Sequence, residues 1–283
     1  MPISVQASIS SHEADMIPEY EIYAIRYATN QGRTRGQNYI LEANPTERQA
    51  MDFYCWFLRN DERVIVIDTG MNPEKAVKHG HTLLVSPPET LKACGVDPEK
   101  VDTVIMTHLH YDHSGHLGFF PKAHFYMQEE EMHYVTGQWM QRPWFRRAYE
   151  VDEICQAVEL LHAGRMTLHG REKEIAPGVS VHWVGGHCAG QEIVRVRTAR
   201  GWVVLASDAL HYYEEYERSV PFSVAFNLSD MIAGHETIRA LADSDDHVVP
   251  AHDPRVAEIY PAADIGPEGA VYRLDLAPRL YRV

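Results

Sequence analysis

The densest group of chemically capable residues is Thr107-His108-Leu109-His110-Tyr111-Asp112-His113, followed by Ser114-Gly115-His116. Imidazole nitrogens and carboxylate oxygens are the donors that zinc and similar divalent cations take up. His108 and His110 stand two apart, so in an extended stretch they share one side. Asp112 and His113 are adjacent and tend to diverge, so one short loop can feed two ions. Three further donors follow downstream. They are His187 in Gly185-Gly186-His187-Cys188-Ala189-Gly190, Asp208 in Ala206-Ser207-Asp208-Ala209, and His252 in Pro250-Ala251-His252-Asp253. The chain has 17 histidines, and His124, His133, His182 and His235 lack such company, so they read as structural or exposed. Two neighbouring cations lower the pKa of a shared water toward neutrality, which is hydrolytic chemistry.

Something must hold these donors in place, and the sequence supplies strands. Residues 101–106 form a β-branched run directly before His108. Runs at 179–184, 202–206 and 247–249 precede His187, Asp208 and His252 in the same way, with a further strand at 192–196. A rigid scaffold presents a site by ending strands in ligands. Residues 21–28 alternate, with Ile22, Ala24 and Arg26 against Tyr23, Ile25 and Tyr27. Residues 52–58 and 63–68 are joined by Arg59-Asn60-Asp61-Glu62 as a hairpin, and 125–127 is another short strand. Ser86-Pro87-Pro88 opens a short helix stopped by Gly95, 129–135 reads as helical, and Ser229 caps a helix over 229–241. Residues 31–37 read as a loop. Residues 138–162, with Trp139, Trp144, Phe145 and Tyr149, read as an inserted helical region, and about 1–19 as an N-terminal arm. The pattern predicts an α/β fold, an αββα sandwich of two mixed β-sheets flanked by helices, in one domain over 1–283.

Composition narrows the partners. A formal charge of −14 repels phosphate backbones, and no run of Lys and Arg suggests a basic groove, so nucleic acid is not expected. No stretch approaches 18 apolar residues, and residues 1–13 lack a charged leader before an apolar run, so neither a membrane span nor a signal peptide is expected. Cys55, Cys94, Cys155 and Cys188 form no C-x-x-C pair and read as free thiols of a reducing, cytoplasmic compartment. The N-terminal arm and the inserted helices are the candidate contacts of a homodimer.

The combination H-x-H-x-D-H at 108–113, a later Gly-His, a strand-end Asp and a late His resembles the metallo-β-lactamase superfamily. Val64-Ile65-Val66-Ile67-Asp68-Thr69-Gly70 is similar to that superfamily's early Asp-Thr-Gly turn, and the resemblance spans residues 54 to 252. It implies one metal on His108, His110 and His187, a second on Asp112, His113 and His252, and Asp208 bridging both. Two Zn²⁺ are the implied cofactors, with Fe, Mn or Co as alternatives. Asp68 resembles a residue that hydrogen-bonds a ligand histidine.

Within the superfamily the chain resembles the N-acyl homoserine lactonase group. The similarity lies in Phe53-Tyr54-Cys55-Trp56-Phe57-Leu58, Ile67-Asp68-Thr69-Gly70-Met71 and His110-Tyr111-Asp112-His113. That group opens a ring ester with help from a tyrosine three residues after the bridging aspartate. Here that position is His211, followed by Tyr212 and Tyr213. The usual proline before Gly186 is Gly185, and the late Gly-His-Asp is Ala251-His252-Asp253. The resemblance therefore implies a hydrolase acting on a lactone or similar small ester, N-acyl homoserine lactone among them. His211 or Tyr212 is the expected proton donor, and Asp112 orients or accepts the proton. The alternatives are a glyoxalase II-like thioesterase, a cyclic amide hydrolase and a persulfide dioxygenase-like mono-iron oxidoreductase. The last uses no second metal, and the set Asp112, His113 and His252 argues against it.

Overall fold

Alternation in the first strand decides the layering. In the computed structural model, which describes residues 17–279, β1 (Glu21–Asn30) sends Ile22 and Ala24 into one apolar cluster and Tyr23 and Ile25 into another. A strand buried on both faces needs cover on both sides. β2 (Met51–Arg59) behaves likewise, with Tyr54, Trp56 and Leu58 on the first side and Phe53, Cys55 and Phe57 on the second.

These strands belong to an eight-stranded sheet completed by β3 (Val64–Ile67), β4 (Thr82–Leu83), β5 (Thr103–Met106), β6 (His124–Gln128) and β7 (Met166–His169). The second sheet holds β8 (Glu172–Ala176), β9 (Val179–Trp183), β10 (Glu192–Thr198), β11 (Gly201–Leu205) and β12 (Val248–Val249). β13 (Val271–Arg273) closes the first sheet, whose order is β13-β1-β2-β3-β5-β6-β7 with β4 beside β1; the second runs β12-β11-β10-β9-β8. Both are mixed. β3, β5, β6 and β7 pair in parallel and the β1–β2 and β2–β3 pairs are antiparallel, while β11 and β12 are the parallel pair of the second sheet. Ile67, Ile105, Val181, Val194, Val203 and Leu205 fill the space between the sheets. Helices cover the outer faces: Leu91, Met132 and Ala157 lie over the first sheet and Tyr216 and Ile238 over the second. The architecture is the expected αββα sandwich of two mixed sheets.

Several local details differ from expectation. The helix Leu228–Leu241 is capped by Asn227, not Ser229, because the Asn227 side chain accepts from the backbone nitrogens of Ser229 and Asp230. Ser86 precedes the helix Pro87–Ala93 without a side-chain cap bond, so the paired prolines set that start. One helical turn, Arg35–Asn38, overlaps the end of the loop expected at 31–37. Residues 138–162 hold a 3₁₀ turn at Gln138–Gln141 and helices at Pro143–Arg146 and Val151–His162. The expected N-terminal arm lies outside the described residues up to residue 16. No described helix is long and apolar enough to cross a membrane.

Candidate metal centre

The C-terminal end of β5 runs into Thr107 and the histidine loop, that of β11 into Asp208, and that of β12 into His252, while β9 leads to the glycine turn holding His187. A backbone bond from Glu192 N to Thr107 O (3.2 Å) ties the sheets together at this end. All seven donors are buried. Two sets of ligand atoms lie within 4.8 Å of one another, namely His108, His110, His187 and Asp208, and Asp112, His113, Asp208 and His252. Asp208 belongs to both. Its Oδ1 lies 3.0 Å from His252 Nε2 and 3.1 Å from His113 Nε2, and its Oδ2 lies 3.2 Å from His187 Nε2.

The outer ring nitrogens are each held. His113 Nδ1 lies 2.7 Å from Asp68 Oδ2, His187 Nδ1 donates to Val224 O (2.9 Å) and His252 Nδ1 donates to Asp52 O (2.8 Å). A carbonyl only accepts, so His187 and His252 carry their protons on Nδ1 and turn Nε2 lone pairs inward. Those lone pairs meet the Asp208 carboxylate, and His187 Nε2 also faces His110 Nδ1 at 2.8 Å. The buried Nε2 atoms of His108 and His113 have no hydrogen-bond partner among the described residues. Buried acceptors turned toward one another are unfavourable unless cations lie between them. The donor set therefore fits a pair of divalent ions. Burial holds His108 and His187 well below the ordinary imidazole value and His110 at about 4, so these rings are neutral donors.

A sequence profile of the Metallo-beta-lactamase superfamily matches residues 54–252, more than half the chain and the span that contains all seven donors. The chain belongs to the metallo-beta-lactamase superfamily. It is 28% identical over 186 residues to the N-acyl homoserine lactonase AiiA of Bacillus thuringiensis subsp. kurstaki, covering 60% of this chain and 68% of that one. It is 28% identical over 185 residues to the N-acyl homoserine lactonase AiiB of Agrobacterium fabrum (57% and 64%). The crystal structure of a quorum-quenching N-acyl homoserine lactone lactonase superposes with a TM-score of 0.69 at 20% identity, over 83% of this chain and 92% of that one.

Around this superfamily centre lie residues of three kinds. Asp68 accepts from Thr107 N (2.8 Å) and Thr107 Oγ1 (2.7 Å) as well as contacting His113, and Ser207 Oγ lies 2.7 Å from Thr107 Oγ1. Asp68 and Ser207 both hold positive φ (57° and 45°), an arrangement that costs about 1–3 kcal/mol each and is maintained by this network. His211 reaches the cluster, with Nε2 3.1 Å from Asp208 Oδ2, Nδ1 3.5 Å from Glu215 Oε1, and its ring stacked on Phe222 at 3.5 Å. Burial lowers its pKa, but Asp208 and then Glu215 raise it to about 9. Tyr212 is placed otherwise. Its hydroxyl sits 3.0 Å from Asn38 Nδ2 and donates to Ala50 O (3.2 Å), away from the ligand atoms.

The third kind escaped sequence reasoning altogether. Glu131, fully buried, accepts from Leu109 N (3.0 Å), Tyr149 Oη (2.9 Å) and Gly190 N (3.2 Å). It thus clamps the loop between His108 and His110 to the turn after His187. Gly190 must be glycine, because a Cβ there would collide with the Glu131 backbone. A signal existed: Glu131 shares the buried face of its helix with Tyr134 and Val135, three and four residues on. The run Glu129-Glu130-Glu131 hid it as an ordinary acidic first turn.

Proposed function

We propose that the protein is a dinuclear metal-dependent hydrolase that opens lactone rings, with N-acyl homoserine lactones the first substrates to try. The observation that carries this is the sharing of Asp208 between two buried donor sets in a superfamily chain whose relatives include N-acyl homoserine lactonases. His108, His110 and His187 would hold one ion, Asp112, His113 and His252 the other, and Asp208 both; zinc suits these donors. Such a pair supplies an activated water and a Lewis acid for the carbonyl.

The chain's own side chains do the rest. The Asp112 carboxylate, 3.7 Å from both His113 Nε2 and His252 Nε2, orients the attacking water and accepts its proton. His211, held between Asp208 and Glu215, stands in the tyrosine's place and donates at Nε2 to the leaving oxygen. Tyr212, the other candidate, is tied to Asn38 and Ala50 and supports the loop beneath. The reading takes the chain as one catalytic domain. The four free thiols support a reducing, cytoplasmic setting.

The test is a panel of lactones, thioesters and cyclic amides with purified protein, together with metal analysis. Lactone turnover with about two zinc per chain is expected. His108→Ala should abolish turnover, and full activity in that variant overturns the site.

A further inference from the structure

Beside the metal centre opens a cleft of about 550 Å³ whose walls include Arg33, Tyr111, Trp144, Arg147 and Val224. It adjoins the ligands through backbone. Val224 O accepts from His187 Nδ1, Tyr111 directly precedes Asp112, and Tyr111 N donates to Ala148 O next to Arg147 (2.9 Å). These backbone links put the cleft's walls next to the donor loops.

The charge of the cleft runs against that of the chain. The protein is formally −14, yet among the described residues no carboxylate lines the cleft and two guanidiniums do. Arg33 is positioned by Asn38 Oδ1 at Nε and by Gln37 O (3.1 Å) at Nη2, while its Nη1 has no partner among the described residues. Its guanidinium lies 5.4 Å from the centre of the Phe222 ring, on which His211 stacks. Arg147 rests 3.9 Å from the centre of Trp144 and has no ion pair among the described residues. The two arginines also sense each other: burial first, then the Arg33 charge, pulls the Arg147 guanidinium below its ordinary value. Like charges held near one another, on aromatic supports and with donors free, form a receptor for an anion. The neighbouring acid, Glu150, is already taken up by Lys75, Lys78 and His79.

Resting on the lactonase reading, we infer that the preferred substrates are lactones whose substituent carries an anionic group, a carboxylate above all, held by Arg33 and Arg147. An uncharged acyl tail uses only the aromatic wall. A carboxylate adds charge-assisted bonds to both arginines and is drawn in at long range.

The experiment compares two γ-lactone amides with tails of equal length, one ending in methyl and one in carboxylate. At low salt the carboxylate compound should show roughly tenfold higher kcat/KM, a gap that narrows as salt screens it. Arg147→Glu, at an exposed position, should invert the ratio. A ratio of one or below in the wild type, or one unmoved by R147E, overturns the inference while leaving the lactonase reading intact. If neither lactone is opened, the lactonase reading is what fails. The two tails without the ring, titrated calorimetrically, then decide the charge preference. Tighter binding of the carboxylate tail by the wild type than by R147E supports it, and equal binding overturns it.

Discussion

Replacing Glu131 by Gln tests whether one buried carboxylate holds the two ligand loops together. Oε1 serves both Leu109 N and Tyr149 Oη, and Oε2 serves Gly190 N. A glutamine keeps its carbonyl on the side with two donors, so its amide nitrogen then faces the Gly190 N–H, donor against donor. A buried donor left unsatisfied costs about 1–3 kcal/mol. For a chain of this size that corresponds to a drop of roughly 2–5 °C in melting temperature. The consequence should be larger at the site than in the fold. Leu109 sits between His108 and His110, and Gly190 lies three residues after His187, so the loss loosens the first donor set specifically. Thermal melting and metal content per chain, measured on the same preparation, separate the two effects. Glu131→Gln should melt earlier and retain less metal, and Glu131→Ala, which removes both acceptors, should be worse on both counts. A Gln variant melting within about 1 °C of wild type with full metal content would refute the clamp.

Two further expectations follow from groups around the centre. Asp68→Ala removes the partner of His113 Nδ1 and of Thr107, so metal affinity by chelator competition should fall roughly 10–100-fold; unchanged affinity would mean that Asp68 serves only its turn. Burial raises the Glu153 carboxyl from 4.5 to about 8, and its Oε1 has no partner among the described residues. Below 4.5 folded and unfolded chains are both protonated there. Between 4.5 and about 8 only the folded chain keeps the proton, so this group's contribution to stability declines as pH rises through that window. Glu153→Gln, which imitates the protonated acid, should gain melting temperature over wild type at pH 8.5 relative to pH 5 (about 3.5 pH units spanning the shift). Parallel melting curves at the two pH values would contradict it.

What could be read in the sequence and what could not divides along a physical line. Donors at strand ends are legible because two local signals coincide, a β-branched run and a ligand-type residue just beyond it. That is so for 101–106 with His108 and for 202–205 with Asp208. The alternation of β1 is legible too, since Ile22 and Ala24 oppose Tyr23 and Ile25 in the chain as they do in space. The strands β7, β8 and β13 carry weaker patterns: Glu172–Ala176 is largely charged and earns its place by pairing with β9, a partner sequence alone does not supply. The holders of the histidines are the least legible. Asp52 and Val224 contribute backbone carbonyls, which every residue has, so no residue type marks them.

The same distinction explains why the substrate is harder to read than the chemistry. The reaction depends on side chains whose identity is chemically restrictive, and these recur in a pattern a sequence displays. The cleft depends on Arg33 and Arg147, two of many arginines, 114 positions apart and flanked by nothing unusual. Only the fold reveals that one lies over Phe222 and the other over Trp144 beside the same opening, while the acids of a strongly acidic chain are elsewhere. Selectivity here would reside in charge placed by tertiary structure, so exchanging Arg147 should redirect the enzyme among substrates without touching the seven donors proposed to hold the metals.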